Sequence, residues 1–223
     1  MQATSDAGGV EHVLWVEASP KGDRSLSSAC ANAYLAGLRD TRAIELERLA
    51  VWEDELVPFG REEALAKFAP LFGEQLTAEQ ARAWACVEAE IERVKSFDRL
   101  VVSSPMWNWS IPYALKHWLD VICQPVLSFT LDERGRHVGV LGIGSRVQLL
   151  LTRSSAYDGR HPEMTDYQQP YLEYVFELLG FDVDDTFVVE PTTLWPAEER
   201  LRLHETATAD ARRLGVAAAR ANN

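Results

Sequence analysis

Leu100-Val101-Val102-Ser103-Ser104-Pro105-Met106-Trp107-Asn108-Trp109-Ser110-Ile111-Pro112, continued by Tyr113-Ala114-Leu115-Lys116-His117-Trp118-Leu119-Asp120-Val121-Ile122-Cys123, is the stretch that decides the fold. Its β-branched, apolar start reads as a buried strand. Its end reads as a helix, because Leu115, Trp118, Leu119 and Ile122 share one face at three- and four-residue spacing while Lys116, His117 and Asp120 lie off it. Between them Ser110 fits an N-cap and Pro112 a first turn, where a missing N–H costs nothing. Two readings of the loop stay open: a corner whose tryptophans fill core, or a ligand loop at the carboxyl end of a strand.

Outward from that stretch, strands and helices alternate. His12–Val16 is fully apolar, as a central parallel strand requires. It runs into Ser19-Pro20-Lys21-Gly22-Asp23-Arg24-Ser25-Leu26-Ser27-Ser28, ahead of a helix bearing Ala29, Cys30, Ala33, Tyr34 and Leu38 on its apolar side. The serines are either caps or, with Lys21, Arg24 and the helix amides, a phosphate cradle. The loop is neither G-x-G-x-x-G nor G-x-x-x-x-G-K-[ST], so a mononucleotide phosphate suits it better than a dinucleotide or a triphosphate. Ala43–Leu49 reads as an edge strand, and the irregular 50–77 segment as a lid or dimer-packing excursion. Ala78–Lys95 is a long amphipathic helix. After Cys123, the turn Glu133-Arg134-Gly135 between apolar runs predicts a hairpin insertion with Phe129 near its arms. Val147–Leu151 is the fourth strand and ends in small, hydroxylated Thr152-Arg153-Ser154-Ser155. A helix over Pro170–Leu179, a strand at Phe187–Val189 and a final helix from Pro196 complete a five-stranded, doubly wound parallel α/β sheet with helices on both faces. Residues 1–10 read as a disordered extension and 11–220 as a single domain.

The chain has 223 residues, with 34 acidic against 22 basic side chains and a formal charge of −12, which argues against nucleic acid. It contains neither a bilayer-length apolar run nor the basic-then-apolar start of a signal peptide, so the expected partners exclude membranes and the expected address is the cytoplasm. Cys30, Cys86 and Cys123 lack metal or C-x-x-C spacing and read as reduced, mostly buried thiols. Neither G-x-S-x-G nor H-E-x-x-H occurs, and the five histidines are scattered, with His161 the one nearest a candidate ligand loop.

Pro105-Met106-Trp107-Asn108-Trp109-Ser110-Ile111-Pro112 followed by Leu115-Lys116 resembles the P-M-[WY]-N-[FW]-x-[IV]-P…L-K signature of the flavodoxin-like, FMN-dependent NADH azoreductases and quinone reductases. The resemblance runs from Val13 to the final helix and takes in the serine-rich loop and the hairpin insertion. It implies that Ser19 and Ser25-Leu26-Ser27 hold the FMN phosphate, and that Met106, Trp107, Asn108 and Trp109 line the isoalloxazine with their amides toward N5 and O4. The family's Ser-Arg-Gly-Gly falls on Thr152-Arg153-Ser154-Ser155, where two serines replace glycines, and Tyr157 stands where a histidine is common. The implied activity is two-electron transfer from NADH or NADPH to quinones and azo compounds by a ping-pong mechanism in a homodimer. The flavin carries the chemistry, so no catalytic side chain is expected. Trp107, Trp109, Phe129, Tyr157 and Phe176 are the expected acceptor-pocket residues. The alternative is a flavodoxin-type electron carrier serving a protein partner, which the acidic surface fits but the 50–97 excursion and the hairpin do not.

Overall fold

Leu100, Val101 and Val102 are fully buried at the centre of a parallel sheet, because their strand is covered on both faces. A computed structural model describes residues 9–159, 163–193 and 196–221. The expected extension at 1–10 therefore lies almost wholly outside the described residues, as does His161.

The elements in order are β1 Glu11–Glu17, α1 Leu26–Arg39, β2 Ile44–Ala50, α2 Arg61–Phe68, α3 Ala78–Lys95, β3 Arg99–Pro105, α4 Tyr113–Ile122, β4 Phe129–Leu131, β5 His137–Gly139, β6 Arg146–Thr152, α5 Gln169–Leu178, β7 Asp182–Val183, β8 Phe187–Val189 and α6 Ala197–Ala221. The sheet runs β2-β1-β3-β6, and its fifth position is shared by β7 and β8, which both pair in parallel with β6. The strand expected at Phe187–Val189 is thus the second half of an interrupted edge. The hairpin β4–β5 is antiparallel and separate from the main sheet.

One core layer joins α3, α4 and α5 to one sheet face through Ile91, Leu115, Trp118, Leu119 and Phe176. The other packs α1 and α6 on the opposite face through Tyr34, Leu35, Leu38 and Ala219. Each large apolar side chain removed from water contributes about 1.5–3 kcal/mol before ordering costs. Helix α4 has the apolar face its spacing requires, with Leu115, Trp118, Leu119 and Ile122 buried. It begins after Pro112, and Ser110 does not cap it. The residues 50–77 are more regular than their composition indicates, because Gly60 ends one irregular stretch and α2 follows it. Of the three thiols, Cys30 is buried, Cys123 half-buried and Cys86 exposed, so the expectation of mostly buried cysteines fails at Cys86. Burial pushes the Cys30 thiol up to about 12, which keeps it protonated and inert.

Helices α1 and α6 touch backbone to backbone. A Cβ on Gly37 would stand 2.2 Å from the carbonyl oxygen of Arg212, and one on Gly215 would stand 2.1 Å from that of Tyr34. Gly37→Ala is therefore expected to destabilise the fold by about 1–3 kcal/mol, by forcing the helices apart. The check is a lower urea midpoint at unchanged slope; an unchanged midpoint would exclude the close approach.

Candidate active site

Parallel strands deliver all their carboxyl ends to one edge of the sheet, and three of those ends are tied together here. Ala18 N–H donates to the Ser103 carbonyl (2.9 Å), and Met106 N–H to the Thr152 carbonyl (2.8 Å). The loops after β1, β3 and β6 therefore border one crevice.

The first loop is a nest of buried hydroxyls. Ser19, Ser25, Ser27 and Ser28 are each at most 6% exposed. Ser25 caps α1, its Oγ accepting from Ser28 N–H (3.3 Å), and lies 3.0 Å from the Ser27 Oγ. The cap occupies a single serine and leaves the other three hydroxyls over. Ser28 Oγ is buried without a hydrogen-bond partner among the described residues, a costly state unless a further polar group completes it. Together with the unsatisfied amides of the first turn of a fourteen-residue helix, this donor set fits a phosphate. Lys21 and Arg24 are exposed at the rim. Leu26 turns its side chain toward Cys30, Val189 and Ala207, so only its backbone is available to the crevice.

The second loop is a tight turn. Trp107 and Ser110 exchange both backbone hydrogen bonds at 2.9 Å, and the two residues between them are left-handed, Asn108 at φ 46° and Trp109 at φ 68°. Ser110 donates its hydroxyl to the Tyr167 carbonyl (3.2 Å) and stands two residues before Pro112, the N-cap position of α4. Met106 and Trp107 amides are consumed within the chain, so among the four residues expected to serve a flavin ring only Asn108 and Trp109 retain unengaged amides.

The third loop departs furthest from expectation. Arg153 is 3% exposed and its guanidinium is spent on the protein: Nε on Gln168 Oε1 (3.2 Å), Nη1 on Glu190 (3.1 Å), Nη2 on Asp166 (2.7 Å) and Gln169 Oε1 (3.2 Å). The side chain is thereby committed to the scaffold. Ser154 and Ser155 have no left-handed backbone, so backbone conformation does not require glycine there. Tyr157 lies over Arg153 (5.5 Å) and donates its N–H to Glu190 (3.1 Å); burial, with Asp166 nearby, holds its phenol above the usual range.

Beside the turn lies a cavity of about 980 Å³, lined among others by Phe59, Trp107, Tyr113, Tyr167, Tyr171 and Tyr174. Of the five expected pocket residues it takes Trp107. Trp109 is 59% exposed and outside the lining, Tyr157 lies on Arg153, and Phe129 packs against His137 (5.2 Å) at the hairpin foot. Phe176 is fully buried against Phe181 (5.7 Å) and cannot line a pocket. The reason is helical phase: α5 turns Leu172, Val175 and Phe176 inward, and Tyr171 and Tyr174 toward the cavity. Burial pushes the Tyr171 phenol up to about 12, so it is a hydrogen-bond donor throughout the neutral range.

Trp52, read before only as one aromatic in an irregular segment, is central. Its indole N–H donates to the Ala18 carbonyl (3.0 Å), and its ring meets Trp107 (5.1 Å) and Tyr113 (4.9 Å). No local pattern marks it; its position in the first turn after β2 is the one signal available.

A parallel sheet with a hydroxyl-rich first loop and a crevice across its carboxyl ends defines the flavodoxin-like class of α/β protein. The chain belongs to the flavodoxin-like fold family, whose sequence profile matches residues 11–214. It is 35% identical over 206 residues, 92% of this chain and 98% of the relative, to a protein of Nitratidesulfovibrio vulgaris (strain DP4) named FMN-dependent NADH:quinone oxidoreductase. It is 33% identical over 208 residues, with the same coverage of 92% and 98%, to FMN-dependent NADH:quinone oxidoreductase 2 of Pseudomonas syringae pv. tomato. Among solved structures, an azoreductase from Bacillus anthracis str. Sterne superposes with TM-score 0.78 at 22% identity, covering 93% of this chain and 99% of that one. An FMN-dependent NADH-azoreductase from B. anthracis str. Ames Ancestor in complex with FMN superposes with TM-score 0.75 at 24% identity, covering 92% and 100%.

Two substitutions would separate capping from phosphate binding in the serine turn. Ser27→Ala is expected to raise the FMN Kd at least about tenfold, the loss of one hydrogen bond to a charged group, and to lower the apoprotein melting temperature less than Ser25→Ala does. Ser25→Ala should lower both affinity and stability, the latter by about 1 kcal/mol through the lost cap. Flavin-fluorescence titration and calorimetry distinguish them.

Proposed function

We propose that this protein is an FMN-dependent NADH oxidoreductase that reduces quinones and azo compounds. The observation that carries this reading is the convergence of three strand-end loops, one a serine-lined phosphate turn, beside an aromatic cavity of about 980 Å³. Whole-length similarity to proteins named FMN-dependent NADH:quinone oxidoreductase supports it.

Ser19, Ser25, Ser27 and Ser28, with the positive end of the α1 dipole, would hold the phosphate. Asn108 and Trp109 amides, at the turn beside the cavity, would face the ring edge. When bound, FMN supplies the two-electron chemistry between nicotinamide and acceptor. The chain's own contribution is binding, orientation and exclusion of water. Trp107, braced by Trp52 and Tyr113, offers a flat wall for an aromatic acceptor, and the Tyr171 hydroxyl a donor within the same cavity. Both substrates would use that one cavity in turn, which is the basis for a ping-pong scheme.

We infer a homodimer from the aromatic side chains left exposed on the cavity side of α4 and α5: Tyr113 at 70%, Tyr174 at 61% and, just before α5, Tyr167 at 59%. A cytoplasmic address suits three unpaired thiols, one of them exposed. Among the described residues no helix is long and apolar enough to cross a membrane. The strongly acidic charge speaks against nucleic acid as a partner.

The test is anaerobic mixing of the FMN-loaded protein with NADH, then with a quinone or an azo dye. Bleaching of the flavin by NADH alone and its return on adding acceptor are expected, with parallel double-reciprocal lines in steady state. Flavin that NADH cannot reduce without a partner reductase would instead identify an electron carrier. Trp107→Ala is expected to raise acceptor KM about tenfold while the rate of flavin reduction by NADH changes less than about twofold, the loss of one stacked wall. Trp109→Ala should change acceptor KM much less.

A further inference from the structure

The Asn108–Trp109 turn is built against its own sequence. A two-residue turn with both central residues left-handed favours Asn-Gly, since only glycine takes the second position without steric cost. Here that position is Trp109, at φ 68°. A bulky residue persists in this region only where its surroundings over-determine it.

Those surroundings form a relay that begins at Arg153. The guanidinium bonds Asp166, Gln168, Gln169 and Glu190, and Asp166 in turn accepts from the amides of Gln168 (2.8 Å) and Gln169 (3.2 Å). This fixes the segment entering α5 against the end of β6. The fixed segment reaches the turn at two points and strand β3 just before it at a third. Tyr167 N–H donates to the Trp109 carbonyl (3.0 Å), Ser110 Oγ to the Tyr167 carbonyl (3.2 Å), and Gln168 Nε2 to the Ser104 carbonyl (3.2 Å). Arg153 N–H also donates to the Val189 carbonyl (3.1 Å), and its own carbonyl accepts from Thr192 N–H (2.9 Å), which ties the same residue to the edge of the sheet.

We propose that Arg153 is a positioning residue that holds the Asn108–Trp109 turn in its left-handed geometry through the 166–168 segment, and so keeps the two amides of that turn aimed at the flavin. The inference rests on the FMN reading above for its ligand, and on the hydrogen-bond relay alone for its structural part. Arginine suits the task because a planar fork serves several acceptors at once; a lysine ammonium at the same place satisfies fewer in fixed geometry.

A double-mutant cycle on the full-length protein tests it, read as the FMN dissociation constant from quenching of flavin fluorescence. Arg153→Lys is expected to raise Kd about tenfold when position 109 is tryptophan, the scale of one released left-handed residue. In a Trp109→Gly background the same change should raise Kd less than about twofold, because an Asn-Gly turn forms unaided. Equal factors in the two backgrounds would overturn the proposal, since Arg153 would then act on the flavin site by another route. Should Arg153→Lys fail to fold, Ser110→Ala removes the outermost link of the relay at a partly exposed position. It is expected to raise Kd about threefold with an unchanged melting temperature, again only when position 109 is tryptophan. An unaltered Kd there overturns the relay. Native protein that binds no FMN would overturn the reading of function itself; native protein that binds FMN with an additive cycle overturns Arg153 alone.

Discussion

Strand β3 is buried on both faces from Arg99 to Ser104, so polarity can leave the middle of this protein only at the two ends of that strand. At the amino end it leaves through ions. Arg99 has no exposed side chain, and it bonds Glu11 (2.9 Å), Asp184 (2.8 Å) and the Tyr34 hydroxyl (3.1 Å). Arg42 shares Glu11, and Arg146 shares Asp184, so one network spans β1, β3, β6 and the start of the edge. A buried pair of this kind adds little net stability, yet losing one partner leaves an uncompensated charge. The network compensates the buried Arg99 charge at that end of the sheet.

The carboxyl end carries the opposite arrangement. Strand ends there stop in serines, a left-handed turn and unengaged amides, all of which are expensive to bury without a partner. The same burial that makes β3 apolar along its length forces those groups to gather at the crevice. The unpartnered Ser28 hydroxyl and the left-handed Trp109 are two expressions of that constraint, one in hydrogen bonding and one in backbone conformation. Arg153 shows how the strained end is held: a buried cation placed behind the crevice, with its bonds directed into the scaffold.

The features legible in the sequence were those with a period or a motif. The apolar face of α4, the amphipathic α3, the hairpin at Glu133–Gly135 and the alternation that demands a parallel sheet all follow from spacing. The serine turn was legible because hydroxyls exceeded what one cap uses. What spacing could not give was direction. Phe176 and Tyr174 are two residues apart on one helix, and only the phase of α5 against the sheet sends the first into the core and the second to the cavity. Ser110 has the composition of a cap, but its hydroxyl is claimed by a carbonyl 57 residues away. Arg153 sits in a motif that implies ligand contact, and its partners are scattered from Asp166 to Glu190, where no local reading connects them.

The segment after β2 shapes one wall of the cavity. The chain folds back beside the crevice there and is fastened at two points. Trp52 holds the near end, through the Ala18 carbonyl and its ring contacts with Trp107 and Tyr113. His117 holds the far end, its Nε2 lying 2.9 Å from the Val57 carbonyl, so that Phe59 closes the cavity wall. The fastened segment walls one side of a cavity whose other side, at Tyr113, Tyr167 and Tyr174, is open to solvent. A single fixed aromatic wall gives a flat molecule a surface to stack on, while the exposed tyrosines opposite leave apolar area that a second chain could cover.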